Sequence, residues 1–151
     1  MQKNGFKDWK FGQSWESVTN PNPGFYPIEG KPNILIYLGT SPSSLSGFKW
    51  RDLKVTFCDN KLKSFQIIFN ESKSNPLVFT KLKVDLQSLF GTPLPYDSPD
   101  VIDAAVWMSD KIHLQLFHLP EGTNMSNYGA AHIIMWIKSV EIERQCAAKG
   151  F

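Results

Sequence analysis

Residues 50–69, WRDLKVTFCDNKLKSFQIIF, decide how the rest of the chain is read. From Leu53 to Phe57 every second residue is apolar (Leu53, Val55, Phe57) and the residues between them are polar. The same alternation returns in Phe65, Ile67 and Phe69, against Ser64 and Gln66. A period of two puts each apolar set on one face of a pleated strand, and Asp59-Asn60 between the runs supplies the turn. The stretch is therefore an antiparallel hairpin with one buried face.

Working outward, Asn33–Leu38 is a further strand candidate before this hairpin, and Ser14 caps a short helix carrying Trp15 and Val18. Thr19–Lys31, with Pro21, Pro23, Gly24, Pro27 and Gly30, reads as an extended loop, and Thr40–Gly47 as a Ser/Pro/Gly loop. On the other side, Pro76 opens the strongest helix. Phe79, Leu82, Leu86, Leu89 and Phe90 recur at intervals of three and four, and Gly91 and Pro93 end it. A loop over Thr92–Asp100 leads to strands at Ile102–Met108, Ile112–Leu119 and Ala131–Lys138, with a polar loop over Pro120–Gly129. Ser139–Ala148 adds a turn or two of helix, or frays.

One order of signals is thus written twice, a short helix followed by a three-strand meander, over residues 12–69 and 77–137. The expected fold is α+β in a single domain, 1–151, with about six antiparallel strands and the main helix on one sheet face. Neither half covers its own sheet; both together build one core. A chain of 151 residues with 42% hydrophobic and 13% aromatic content folds without a metal or a disulfide.

The net value of +2 is too small to argue for a nucleic-acid or membrane-surface partner on electrostatics alone, and no nucleic acid is expected, although residues 1–75 carry ten Lys/Arg against six Asp/Glu and residues 76–151 six against eight. No stretch reaches the length of a membrane span, and the start MQKNGFKDWKFG lacks the apolar core of a signal peptide. As written the chain reads as cytoplasmic; had a leader been removed, it would be periplasmic or of the cell envelope. Cys58 and Cys146 can pair in an oxidising compartment or stay free thiols, and their spacing favours neither. Asn70-Glu71-Ser72 and Asn124-Met125-Ser126 match the glycosylation sequon, a pattern short enough to arise by chance.

The residues that could carry chemistry are few. His113 and His118 fall on opposite parities of one strand, and His132 lies on another, so no metal cluster with short ligand spacing forms and no cofactor is expected. Asp97, Asp100 and Asp103 in or beside one loop can do acid and base work with a histidine, but loops use the same residues to turn. Neither a nucleophile elbow nor a phosphate loop has its context. If Leu53, Val55 and Phe57 face the helices, Trp50 and Lys54 face away. By the same rule His113, Gln115 and Phe117 oppose Ile112, Leu114 and Leu116, and His132 and Trp136 oppose Ile133, Met135 and Ile137. With Tyr37 these side chains make an aromatic and polar open face, a composition suited to recognition.

Three short stretches carry a resemblance: G-x-S-W-E-x-V at Gly12–Val18, an L-x-x-L-F-G-T-P helix end closing at Pro93, and V-W-M-S-D-K-I-H-L at Val106–Leu114. In these, and in the order of its elements, the chain resembles small bacterial helix-plus-meander proteins of the SmpA/OmlA lipoprotein and beta-lactamase inhibitory protein type. It departs from them in lacking a lipobox cysteine and a long first helix. The resemblance implies a non-catalytic protein that works through its sheet and loops. The functional expectation is a protein-binding or inhibitory module of a bacterial cell, with another protein as partner, contacted through Tyr37, Trp50, Lys54, His113, Gln115, Phe117, His132 and Trp136. The alternatives are a small hydrolase or ligand-binding enzyme using the loop carboxylates with His118 or His132, and an immunity protein that neutralises a toxin.

Overall fold

The computed structural model describes residues 4–21, 24–40, 42–69, 75–120 and 132–150. Both glycosylation sequons, and all of the Pro120–Gly129 loop after its first residue, fall outside them. A small hairpin opens the chain, β1 (Gly5–Phe6) and β2 (Trp9–Lys10), followed by the helix α1 (Trp15–Thr19). Next come β3 (Phe25–Ile28), β4 (Lys31–Tyr37), a second small hairpin β5 (Ser44–Leu45) and β6 (Phe48–Lys49), then β7 (Asp52–Cys58) and β8 (Lys61–Phe69). The long helix α2 (Asn75–Phe90) precedes β9 (Asp103–Met108), β10 (Ile112–Leu119) and β11 (His132–Ser139), and α3 (Val140–Ala148) closes the order.

Seven strands form one antiparallel sheet in the order β3-β4-β7-β8-β11-β10-β9. The two meanders meet edge to edge through their last strands, β8 and β11, with Ile67 opposite Met135 and Phe65 opposite Ile137. The α+β class, the antiparallel sheet and the helix against one face are as the sequence pattern requires. The seventh strand is β3, inside the segment expected to be an extended loop. Pro27 lacks an N–H, which a central strand would need, but β3 is an edge strand paired only with β4. The β5–β6 hairpin likewise replaces part of the expected Thr40–Gly47 loop. Its turn residues Ser46 and Gly47 have φ of 54° and 85°, as a tight two-residue turn demands.

The turn at Asp59-Asn60 follows the same chemistry, with φ of 51° and 57°. Asn60 also accepts a hydrogen bond from the Trp15 amide at 3.0 Å, which ties α1 to the hairpin. Just past the turn, pairing slips by one residue: Thr56 faces Ser64 while Phe57 faces Leu62. The extra residue, Lys63, is a bulge that lets both Leu62 and Phe65 point into the core.

Cross-strand register organises the inner face into apolar rows. One runs Phe25, Tyr37, Leu53, Ile67, Met135, Leu116, Ala105; the next runs Pro27, Leu35, Val55, Phe65, Ile137, Leu114, Trp107. Val78, Phe79, Leu82 and Leu86 of α2 are buried against the β10–β11 end of these rows. Leu89, which the periodicity placed in this stripe, is 41% exposed in the helix's last turn, and Phe90 is half-buried. The first meander is covered by the N-terminal hairpin instead, whose Phe6 and Trp9 pack with Phe25, Tyr37, Trp50 and Phe65. Gly5 permits that hairpin to close, because a Cβ there would collide with the Trp9 carbonyl.

Candidate functional site

The opposite face of the sheet carries polar and aromatic side chains in the same register. One row reads Ile36, Lys54, Gln66, Trp136, Gln115, Val106, and its neighbour reads Ile34, Thr56, Ser64, Lys138, His113, Met108. Residues on neighbouring strands of one row lie about 5 Å apart, so Gln66 and Gln115 flank the Trp136 indole directly. The indole is half-buried; Phe117 meets its ring edge-on at 6.1 Å, and Lys138 Nζ sits 5.9 Å from its ring centroid. Of the residues expected on this face, Lys54, His113, Gln115 and Trp136 are brought together here.

The other four are placed differently. Phe117 points to the outer face but is buried in a second apolar cluster with Ile68, Val106, Leu119 and Ile134. Tyr96, from the loop that pairs Leu94 with Val106, covers it at 5.2 Å. His132 is fully buried at the start of β11. Tyr37 belongs to the inner face, because it shares the parity of Leu35; its ring packs 4.8 Å from Phe25. Trp50 precedes β7, and its amide bonds to the Ser43 carbonyl at 3.1 Å, so strand parity does not extend to it. Its ring lies 5.7 Å from Phe6, packed against the core side.

One end of the outer face is roofed by α3, an element the sequence left as a turn or two or a frayed tail. Ser139 accepts the Ile142 amide at 3.2 Å, and Glu141 and Glu143 in the first turn complement the helix dipole. A disulfide between Cys58 and Cys146, Cα atoms 6.3 Å apart, fastens the helix to the end of β7. Ile142 and Cys146 are buried against Cys58, and Lys149 forms an ion pair with Asp59. That lysine's hydrogen bond and charge hold the Asp59 carboxyl below its ordinary value. The signals for this element lay in the sequence: a serine cap followed by glutamates, with Ile142 and Cys146 four residues apart on one helical face.

Between α3 and the outer face lies a groove of about 870 Å³. Ile34, Thr56 and His113 of the second row line it from the sheet, and Val140, Glu143, Arg144 and Ala147 from the helix. Partial burial lowers the His113 pKa, Lys138 lowers it further, and Glu143 opposes both.

The carboxylates divide. Asp103 stands across from His118 in the β9–β10 register, whereas Asp97 and Asp100 stay on the exposed loop. His118 is buried on the inner face with its ring stacked 6.3 Å from Phe79. Burial lowers its pKa, Asp103 raises it and His132 lowers it. This imidazole therefore faces the core under α2. Among the described residues no three His, Cys, Asp or Glu side chains are grouped to hold a metal ion, and no helix is long and apolar enough to cross a membrane.

Fold and site together define an α+β protein with an antiparallel sheet, helices on its inner face, and an outer face left partly open beside a disulfide-anchored helix. No family model, curated protein or solved structure matches the chain.

Proposed function

We propose that this chain is a non-catalytic protein-binding module of an oxidising compartment, the periplasm or cell envelope, and that it contacts its partner through the outer sheet face. The observation that carries this reading is the half-buried indole of Trp136 at the centre of a polar row, flanked by Gln66 and Gln115 and by the Lys138 ammonium. Protein interfaces are enriched in such anchors: a large ring that loses little entropy, surrounded by groups that hydrogen-bond at the rim. The pairing of both cysteines supports the compartment, since disulfides persist where thiols are not kept reduced. Inhibition of an enzyme and neutralisation of a toxin are two uses of such a surface, told apart by the partner.

The test is photo-crosslinking in cells that make the protein. A photoreactive residue at Gln66 or Gln115 is expected to give one discrete adduct, lost when Trp136→Ala is added, while the same residue at Lys83 on α2 gives none. Adducts of equal yield at Lys83, or none from the outer face, would refute the reading.

A further inference from the structure

The groove beneath α3 has a chemistry of its own. Its volume, about 870 Å³, falls in the range of roughly 300–1,000 Å³ typical of small-molecule sites. Apolar surface comes from Ile34 on the sheet, Met108 at the far end, and Val140 and Ala147 on the helix. Around it stand three permanent cations, Lys31, Lys63 and Arg144, against one carboxylate, Glu143. Lys63 is delivered to this side by the bulge in β8.

Hydrocarbon entering the groove gains the free energy of leaving water, about 25 cal/mol per Å² of apolar surface covered. That gain is blind to charge. The lining is not: with two positive charges in excess, it favours an anionic head, repels a cationic one, and offers a neutral one hydrogen bonds without the attraction between opposite charges. We propose that the groove binds a small amphipathic carboxylate, a single hydrocarbon body with one anionic head. This goes beyond the protein-binding reading and does not depend on it. His113 acts as the internal reporter. The charged groups beside it are Lys138 and Glu143, and a carboxylate arriving among them favours the imidazolium, so its pKa rises on binding.

Oxidised wild-type protein is titrated with sodium dodecanoate below its micelle-forming concentration, by calorimetry and by NMR of the imidazole and methyl groups. Dodecanol, acetate and dodecyltrimethylammonium serve as comparators. The expected result is saturable binding of dodecanoate, weaker by about tenfold or more for dodecanol and for the trimethylammonium compound. No binding of acetate is expected, with an upward shift of the His113 titration and shift changes at Ile34 and Ala147. The double variant Lys63→Met, Arg144→Met, checked for an unchanged unfolding midpoint, should weaken dodecanoate by about tenfold. Equal binding of dodecanol and dodecanoate, absence of saturable binding, or shift changes confined to other parts of the wild-type protein would each overturn the proposal. So would undiminished binding by the folded double variant.

Discussion

His118 shows how one side chain sets a response of the whole protein to acid. Its folded pKa lies below the ordinary value of 6.5 because the ring is buried against Phe79 and beside His132, which outweighs the pull of Asp103. Between the folded and the unfolded pKa, the unfolded chain binds more protons. Stability is therefore fully present above about pH 6.5 and is lost as pH falls from there toward the folded value. His118→Phe, which keeps a ring on Phe79, should flatten the dependence of the chemical unfolding midpoint on pH between 7 and 5. His113 shifts in the same direction but is more exposed, so a smaller slope remains. An unaltered slope in His118→Phe would show that the ring is solvated in the folded state. The tryptophans provide a graded companion test. Trp9 is buried among aromatic rings, and its replacement by alanine should cost about 3–5 kcal/mol. Trp50→Ala should cost about 2 kcal/mol and Trp136→Ala about 1 kcal/mol, in proportion to the packing each loses. Urea midpoints rank the three. Alternation made Lys54, Gln115, His113 and Trp136 legible as neighbours on one face, because parity holds along an unbroken strand. Trp50 was not legible, since it stands outside β7, and Tyr37 needed the parity of Leu35 applied to it.

At the scale of elements, the long periodic pieces were readable and the short ones were not. A two-residue strand has no period, so β1–β2 and β5–β6 leave no alternation to detect, although Ser46-Gly47 carries the turn chemistry. α3 lies between these cases. Nine residues are too few to stay helical alone, and of its side chains only Ile142 and Cys146 are buried. The helix is therefore held chiefly by the Cys58–Cys146 bond, its cap at Ser139 and the Lys149–Asp59 pair. Closing a loop between cysteines 88 positions apart lowers the entropy of the unfolded chain by an amount worth about 4–5 kcal/mol in the chain-entropy model. Reduction should lower the urea midpoint and, before global unfolding, speed amide exchange of residues 142–148 while leaving that of β8 and β10 slow. Exchange of α3 that does not respond to reduction would assign its anchoring to the cap and ion pair instead. The loosened helix should also cost the groove its affinity for dodecanoate.

For the whole molecule, the decisive feature is where the two meanders join. Sequence alternation fixed which face of each strand is apolar, but the order of strands across the halves depends on which edges pair, and every strand edge offers the same backbone groups. The structure pairs β8 with β11, so the apolar rows run unbroken from Phe25 to Ala105 and from Pro27 to Trp107. The main core accordingly takes in residues from Phe6 to Ile137. Such continuity couples the halves: opening the seam exposes the inner faces of both β8 and β11, including Phe65, Ile67, Met135 and Ile137, all fully buried. Unfolding should then be a single cooperative transition. Two probes, each in a protein keeping one reporter tryptophan with the others replaced by phenylalanine, can check this. Trp9 reports the first meander, and Trp107, whose Nε1 donates to the Gly91 carbonyl at 2.8 Å, reports the second. Their urea curves should coincide with each other and with far-ultraviolet circular dichroism. Ile67→Lys, which places a charge at the seam, should shift both curves together by about 3 kcal/mol or more, since a buried unpaired charge has no solvent. Curves that separate, with the Trp107 transition unmoved by the lysine, would mean that the second meander and α2 fold independently and that the β8–β11 contact is an interface between two units.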